Sequence, residues 1–254
     1  MIREITSTKN KTVCEVKKLK QKKYREETGT FLAEGYRNVA DSMKLRAPRM
    51  LFLEQGMTGF SDIQASVDVF YVTEDVMKEL CDTKTPQGVA GVFEIPQECP
   101  VSKDQILLLN GVSDPGNLGT ILRTALAAGF TDIVLDEQCA DVFSPKVVRS
   151  AMSAIFSLNL IRVKNLDTVL KSLQDADYKV YGAALSKEAK SIYETNFSKK
   201  TALLFGSEAN GIEDRLLSLV DGSYIIPMCD GIESLNVAVA AGISMYEVVR
   251  DKNL

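Results

Sequence analysis

The chain has 254 residues, of which 45% are apolar and 25% are charged, and it contains no histidine. This composition is typical of a globular protein and excludes a disordered or collagen-like chain. The lack of histidine excludes imidazole catalysis, and the five scattered cysteines form no Cys-x-x-Cys pair, so we expect reduced thiols and no bound metal. Because neither a membrane-length apolar run nor a signal-peptide core is evident, we expect a cytoplasmic protein that makes no membrane contact.

Charge is distributed unevenly along the chain. Residues 1–50 hold 13 Lys and Arg against 6 Asp and Glu, a net charge of +7, whereas residues 51–254 hold 17 against 28, a net charge of −11. The densest cluster, here called the basic arm, consists of Lys17, Lys18, Lys20, Lys22, Lys23 and Arg25. Such a cluster attracts phosphates and favours RNA as a partner. The helical spacing of Val13, Val16 and Leu19 equally allows a solvated helix face, and charge alone leaves both interpretations open.

The first hundred residues predict a small α/β domain. Helices are predicted over residues 11–27, 36–46 and 74–81, and strands over 30–33, 50–53, 69–73 and 89–94. Two prolines within residues 96–100 then predict a linker. We therefore assign residues 1–95 to an N-terminal domain, 96–104 to the linker and 105–254 to a C-terminal domain.

The C-terminal segment alternates apolar strands with helices. Strands are predicted over residues 106–109, 133–135, 158–163, 180–184, 202–205 and 224–226, and helices over 118–128, 145–155, 166–176, 212–220 and 235–250. Fully apolar strands alternating with helices predict an open, mostly parallel sheet covered on both faces. Ligands bind at the carboxyl ends of the strands in such sheets, so the loops that follow the strands are the candidate sites.

Three of these loops are rich in glycine and polar residues. They span residues 110–119, 205–211 and 226–236, and the first leads into a predicted helix that carries Arg123. Each loop alone is a weak signal, because glycine-rich turns between strands and helices are common. Neither a Walker phosphate loop nor the G-x-G-x-x-G fingerprint is present, which disfavours nucleotide hydrolysis and nicotinamide chemistry.

Taken in order, the three loops resemble the signature motifs of the SpoU/TrmH family of RNA ribose 2′-O-methyltransferases, in the SPOUT superfamily. The matching residues are Asp114 to Gly119 with Arg123, then Gly206, Ser207, Glu208 and Gly211, then Ile226, Pro227 and Met228 with Ser234, Leu235 and Asn236. Asn10, Lys11 and the run from Phe31 to Gly35 resemble the family's substrate-binding domain. Ala209 departs from the glycine that many members carry. The resemblance implies a trefoil-knotted C-terminal domain, a ribosomal-protein-like N-terminal domain, S-adenosylmethionine as cofactor, and a homodimer that builds its site from both chains.

The resemblance also implies roles for individual residues. The cofactor is expected against Leu204, Gly206, Gly211, Ile226, Pro227, Met228 and Leu235, although Ile226 and Leu235 could simply belong to the core. The expected catalytic group is Arg123, Asn117, Glu208, Ser234 and Asn236. The planar guanidinium suits an RNA phosphate or the ribose hydroxyl. Whether it also removes the hydroxyl proton is left open, because a free guanidinium keeps its proton up to about pH 12; an ion pair with Glu208 is the structural alternative.

These motifs predict methyl transfer to a ribose 2′-hydroxyl in RNA, with ribosomal RNA favoured over transfer RNA. A catalytically silent RNA-binding or ribosome-assembly factor is the alternative that the basic arm favours, and a base-methylating SPOUT enzyme is a further one. Cofactor binding separates the enzyme from the silent factor, and analysis of the methylated nucleoside separates ribose from base.

Overall fold

The computed structural model describes residues 2–60, 66–186, 188–231 and 234–251. The strands are β1 (Ile2–Ile5), β2 (Thr30–Glu34), β3 (Met50–Glu54), β4 (Asp68–Val72), β5 (Val89–Glu94), β6 (Gln105–Leu109), β7 (Asp132–Asp136), β8 (Asn159–Val163), β9 (Lys179–Ala183), β10 (Lys190–Ser191), β11 (Thr201–Phe205) and β12 (Gly222–Ile225). The helices are α1 (Lys11–Lys18), α2 (Lys22–Thr28), α3 (Tyr36–Leu45), α4 (Glu74–Leu80), α5 (Pro115–Ala127), α6 (Pro145–Ala151), α7 (Leu166–Asp175), α8 (Asp214–Leu217) and α9 (Val237–Val248). None of the helices in the described part of the chain has the length and apolar character needed to cross a bilayer.

These elements form two compact units, and one of them is discontinuous in sequence. The first unit comprises Met1–Pro96 with Asp141–Phe156, and the second comprises Gln97–Ala140 with Ser157–Leu254. A single linear boundary at residues 96–104 therefore does not describe the two units, because 16 residues from the C-terminal half of the sequence pack with the N-terminal half.

The first unit is a five-stranded mixed sheet in the order β1-β4-β3-β5-β2. Helices α1 and α4 pack on it through a cluster that includes Val13, Val16, Phe52 and Met77. The predicted single helix over residues 11–27 is wrong, since the chain breaks between α1 and α2. At this break the buried guanidinium of Arg25 donates a hydrogen bond of 2.5 Å to the carbonyl of Leu19, which in a continuing helix would accept from the N–H of Lys23 instead. Strands β1 and β10 are too short for a periodic pattern and were not predicted.

Aromatic packing explains why residues 141–156 belong to the first unit. The ring of Phe31 lies 5.1 Å from Phe143 and 5.5 Å from Phe156, and Phe156 also contacts Phe93 at 5.0 Å between centroids. Burial of such large rings is a major stabilising contribution in a small domain. Because these contacts join residues more than 50 positions apart, local sequence pattern gives no sign of them.

The second unit is a seven-stranded parallel sheet in the order β10-β12-β9-β11-β6-β7-β8. The parallel α/β architecture predicted from the apolar strands is confirmed. Strands β6 and β11 are neighbours at the centre, and β11 is fully buried. Since all strands run in one direction, the loops that follow β6, β11 and β12 emerge at the same edge of the sheet, although 91 residues separate β6 from β11 and 16 separate β11 from β12.

Candidate functional site

Helix α5 begins with two local signals that fix the first loop. The side chain of Asp114 accepts a hydrogen bond from the backbone N–H of Asn117 at 2.8 Å, and Pro115 occupies the first turn. An aspartate cap followed by proline favours this helix start, because it satisfies one free N–H and presets the backbone angle. Asn117 is thereby held on the first turn of α5.

The second loop folds back on itself. Ser207 and Gly211 exchange backbone hydrogen bonds of 3.0 and 2.9 Å, so that Glu208 lies exposed at the tip. A Cβ atom on Gly206 would lie 1.9 Å from the backbone carbon of Gly211, which only glycine avoids. Gly211 itself takes a positive φ of 67°. The two glycines therefore set the shape of the loop that presents Glu208.

Asn236 joins the third loop to the other two. Its Oδ1 caps α9 by accepting from the N–H groups of Ala238 and Val239, while its Nδ2 donates to Oδ1 of Asn117 at 2.9 Å. Nδ2 of Asn117 in turn donates to Oε1 of Glu208 at 2.9 Å. Three predicted catalytic residues, one from each loop, thus form a single hydrogen-bonded line, which we call the polar triad.

Arg123 does not join the polar triad within this chain. It is exposed and, among the described residues, has no ion pair or hydrogen bond. Arg123 lies six positions after Asn117 on α5. This places it about 9 Å further along the helix axis and about 120° around that axis. Within the described residues of this chain Arg123 forms no ion pair with Glu208, whose carboxylate accepts from Asn117. Arg123 is available to a group outside the chain.

Next to the polar triad lies a cavity of about 710 Å³. Five of the seven predicted cofactor residues line it: Gly211, Ile226, Pro227, Met228 and Leu235; the predicted catalytic residue Ser234 lines it as well. Leu204 and Gly206, which are buried in β11 and just after its end, do not line it.

Sequence reasoning missed several residues that line this cavity. They include Ala183 at the end of β9, Ala184 and Leu185 just after it, Asn210 and Asp214 around the second loop, and Tyr224 and Ala240. The strand over residues 180–184 was predicted, so the rule that ligands bind at the carboxyl ends of strands would have indicated Leu185. Asp214 and Asp230 are the acidic residues of the lining, which otherwise consists of apolar side chains and uncharged polar groups.

The basic arm is only partly available for binding. The guanidinium of Arg25 is buried and paired with Asp141, so its assignment as an RNA contact is wrong. The Lys20 ammonium donates to the carbonyls of Glu79 and Cys81 at 2.9 and 2.6 Å, and Lys17 pairs with Glu79, which raises the pKa of Lys17.

The remaining three lysines of the arm stay on the surface. Lys22 and Lys23 face Glu26 and Glu27 at 3.7 and 3.8 Å, and the Lys18 ammonium lies 5.4 Å from the ring centre of Tyr24. Exposed pairs of this kind are weak and can exchange their partner for a phosphate. Lys18, Lys22 and Lys23 therefore make no short ion pair in the described structure, and an anion can reach them.

A parallel α/β sheet whose strand-end loops converge on a cavity and a polar triad defines a cofactor-binding enzyme domain, here accompanied by a second, smaller α/β unit. The SpoU rRNA Methylase family model matches residues 104–246, and a model of the MRM3-like substrate binding domain matches residues 10–91. The chain belongs to the SpoU rRNA methylase family, which confirms the resemblance seen in its motifs.

Curated and solved relatives match almost the whole chain. The 23S rRNA (guanosine(2553)-2′-O)-methyltransferase RlmP of Bacillus subtilis (strain 168) is 37% identical over 97% of this chain and 99% of its own length. An rRNA methyltransferase from Sinorhizobium meliloti, solved with bound S-adenosylmethionine (AdoMet), superposes with a TM-score of 0.88 at 31% identity, covering 100% of this chain and 99% of that one. The AdoMet complex of the SpoU methyltransferase AviRb from Streptomyces viridochromogenes superposes with a TM-score of 0.85 at 26% identity, covering 96% of this chain and 98% of that one.

Proposed function

We propose that this protein transfers a methyl group from S-adenosylmethionine to a ribose 2′-hydroxyl of ribosomal RNA. The observation that carries the proposal is the polar triad of Asn117, Glu208 and Asn236, which brings the three family motifs together beside a cavity. Relatives named as 23S rRNA 2′-O-methyltransferases, matched over nearly their full length, support ribosomal RNA as the substrate. With that substrate, we place the reaction in the cytoplasm.

The residues of the cavity fit the proposed cofactor. A volume of about 710 Å³ lies within the usual range of about 300–1,000 Å³ for small-molecule sites. Ile226, Met228 and Leu235 offer apolar surface for an adenine ring, and Gly211 allows close approach of the backbone. The carboxylates of Asp214 and Asp230 suit the ribose hydroxyls and the positive charge of the ligand. When bound, the cofactor supplies an electrophilic methyl group on its sulfonium sulfur.

The polar triad and Arg123 have separate tasks in this proposal. Asn236 and Asn117 orient Glu208, and the triad holds the polar rim of the site in one geometry before the substrate arrives. Ser234 lies on the same rim and can contact the methionine part of the cofactor or the ribose. The exposed guanidinium of Arg123 binds an RNA phosphate or the target hydroxyl and stabilises the charge that develops on the oxygen.

The position of Arg123 and the surface of α9 support a homodimer within this proposal. Val239 and Tyr246 are 51% and 47% exposed and lie two turns apart on one face of α9, an apolar stripe that a second copy would cover. A twofold axis near this helix would bring Arg123 of one copy toward the triad of the other. Analytical sedimentation tests this: an active monomer of about 28 kDa at micromolar concentration refutes the shared site.

Within this proposal residues 1–95 deliver RNA affinity and residues 105–254 hold the cofactor. The match of residues 10–91 to a substrate-binding domain supports the first part, and the location of the cavity supports the second. We also propose the trefoil knot for the C-terminal domain. The strand order, with β11 inserted between β6 and β9, is compatible with it.

The deciding experiment maps 2′-O-methyl groups in total RNA from cells with and without the gene. Loss of one ribose methylation in ribosomal RNA, restored by the wild-type gene, is the expected result. Loss of a methylation in transfer RNA would show that transfer RNA is the substrate. Loss of a base methylation would show that the enzyme methylates a base and not the ribose. An unchanged methylation map, together with no binding of S-adenosylmethionine by the purified protein, would identify a silent RNA-binding factor.

A further inference from the structure

A polar cluster joins the loop that follows β6 to the end of the loop that follows β11. Asn110, which follows β6 and is 2% exposed, donates through Nδ2 to Oδ2 of Asp136 at 2.7 Å and to Oε1 of Glu213 at 2.9 Å. Its Oδ1 accepts from the backbone N–H of Glu213 at 3.1 Å. The side-chain amide of Asn110 thus uses both of its donors and its acceptor, as a buried amide requires.

Asn110 holds both ends of the loop that carries Glu208. Its backbone N–H donates to the carbonyl of Phe205 at 2.8 Å, just before the loop begins, and its side chain binds Glu213, just after the loop ends. A loop fixed at both ends has fewer accessible conformations, so its tip is better defined. The position of Glu208 therefore depends on a residue that it does not contact.

The same cluster fixes the start of the loop that carries Asn117. Oδ1 of Asp136 accepts from the backbone N–H groups of Gly111, Gln138 and Cys139 at 3.0 to 3.1 Å. Gly111 begins this loop with a positive φ of 69°. The cluster thereby connects the loops of Asn117 and Glu208, the two residues that form one hydrogen bond of the triad.

Glu213 is held in its charged form. The pKa of its carboxyl lies below the ordinary value because Asn110 and Arg215 donate hydrogen bonds to it. Nε of Arg215 lies 2.8 Å from Oε2, which leaves Oε1 to accept from Asn110 and from Gln138. The carboxylate can accept hydrogen bonds throughout the neutral pH range, so the cluster keeps its hydrogen bonds under physiological conditions.

We propose that Asn110 and Glu213 are positioning residues for methyl transfer, which set the geometry between the Asn117 amide and the Glu208 carboxylate without touching the substrate or the cofactor. This inference rests on the proposed function. It goes beyond the family motifs, because Asn110 comes just before the first motif and Glu213 two residues after Gly211, the last residue of the second.

Steady-state kinetics with a matched control tests the proposal. Glu213→Ala is expected to lower kcat at least tenfold and to change the KM for RNA less than threefold. Glu213→Gln keeps an oxygen for Asn110 and should recover most of kcat. The control is Asp221→Ala, which removes a carboxylate that accepts from Gln174 and the N–H of Val180 at the opposite end of β9. It should lower the melting temperature and leave kcat within threefold.

A double-mutant cycle separates positioning from general loosening. If Glu213 acts through Glu208, Glu213→Ala will reduce kcat little further in a Glu208→Ala background, because the group that it positions is already absent. Losses that multiply in the double variant would refute the proposal. So would a loss of kcat in Asp221→Ala as large as that in Glu213→Ala.

Amide hydrogen exchange gives a readout that does not need activity. Glu213→Ala should speed amide exchange in residues 206–213 and 110–118 and leave exchange in β9 unchanged. Unchanged exchange in both loops would refute the idea that the cluster fixes them. If the wild-type protein methylates no RNA, the proposed function fails and the exchange result still decides whether the cluster fixes the loops. If the wild type is active and Glu213→Ala keeps its kcat, only the positioning role fails.

Discussion

Replacement of Gly206 by alanine should damage the second loop far more than the same change at Gly211. A Cβ atom at position 206 would lie 1.9 Å from the backbone carbon of Gly211 and 2.1 Å from both its oxygen and the nitrogen of Ile212. Ordinary contact begins near 3.4 Å, so one of the two backbone segments must move by roughly 1.5 Å. A backbone obstacle cannot rotate away as a side chain can.

The cost follows from this displacement. Overpacking in a well-packed site typically costs about 1–3 kcal/mol, and we expect about 3 kcal/mol here because the obstacle is main chain. For a protein of this size that corresponds to a fall in melting temperature of about 6–12 °C. The displaced Gly211 also lines the cavity, so the Kd for S-adenosylmethionine should rise at least tenfold.

Gly211→Ala is the matched control. A Cβ atom there has no protein atom within 4 Å, so the cost to folding is that of the positive φ of 67°, about 1 kcal/mol or roughly 2–4 °C. Thermal unfolding measures this comparison, and calorimetric titration with S-adenosylmethionine measures the loss of affinity in Gly206→Ala against the wild type. If Gly206→Ala melts within 2 °C of Gly211→Ala, the close approach of the two backbone segments is not a feature of the folded protein.

Three further predictions concern the cofactor cavity and the RNA side of the site. Arg123→Ala should abolish methyl transfer while the Kd for S-adenosylmethionine stays near wild type; activity within about threefold, a loss below about 1 kcal/mol of transition-state stabilisation, would remove this arginine from the mechanism. Neutralising Lys18, Lys22 and Lys23 to glutamine should weaken RNA binding across sequences and flatten its salt dependence, and an unchanged salt slope would show that the basic arm does not contact phosphate. Cys229 is exposed on the cavity wall, so saturating S-adenosylmethionine should slow its alkylation by iodoacetamide; labelling at the same rate with and without the cofactor would place the ligand elsewhere.

The thiols of Cys81, which is buried, and Cys139, which is partly buried, provide an internal reference for the alkylation experiment. Burial raises the pKa of Cys139 to about 12, with a further contribution from the charge of Asp136, and burial also raises the pKa of Cys81. Since the thiolate is the reactive form, both should stay unlabelled in the folded protein at neutral pH, whether or not the cofactor is present. Labelling of Cys81 would report unfolding rather than access to the cavity.

Local signals in the sequence were sufficient for most of the elements and for the loops of the site. Apolar runs such as residues 106–109 and 202–205 predicted buried parallel strands because a strand covered on both faces has no polar side. The helices of the site were predicted over residues 118–128 and 235–250, whereas α5 begins at Pro115 and α9 at Val237. The caps that fix these starts, Asp114 and Asn236, act on residues two or three positions away and are local signals that the prediction did not use. Asn117 and Glu208 were predicted because their loops resemble the family motifs, which are short continuous segments.

What the sequence alone determined is therefore ten of the twelve strands in the described residues and the three loops at the ends of strands. Only the tertiary structure decided which of these meet, because strand order differs from chain order and β11 lies between β6 and β9. Arg25 shows the limit clearly. Its surroundings in sequence are lysines and glutamates that predict an exposed side chain, yet it is buried against Asp141, which lies 116 residues away. Burial is a property of contacts between distant segments, so periodicity within a short window cannot reveal it.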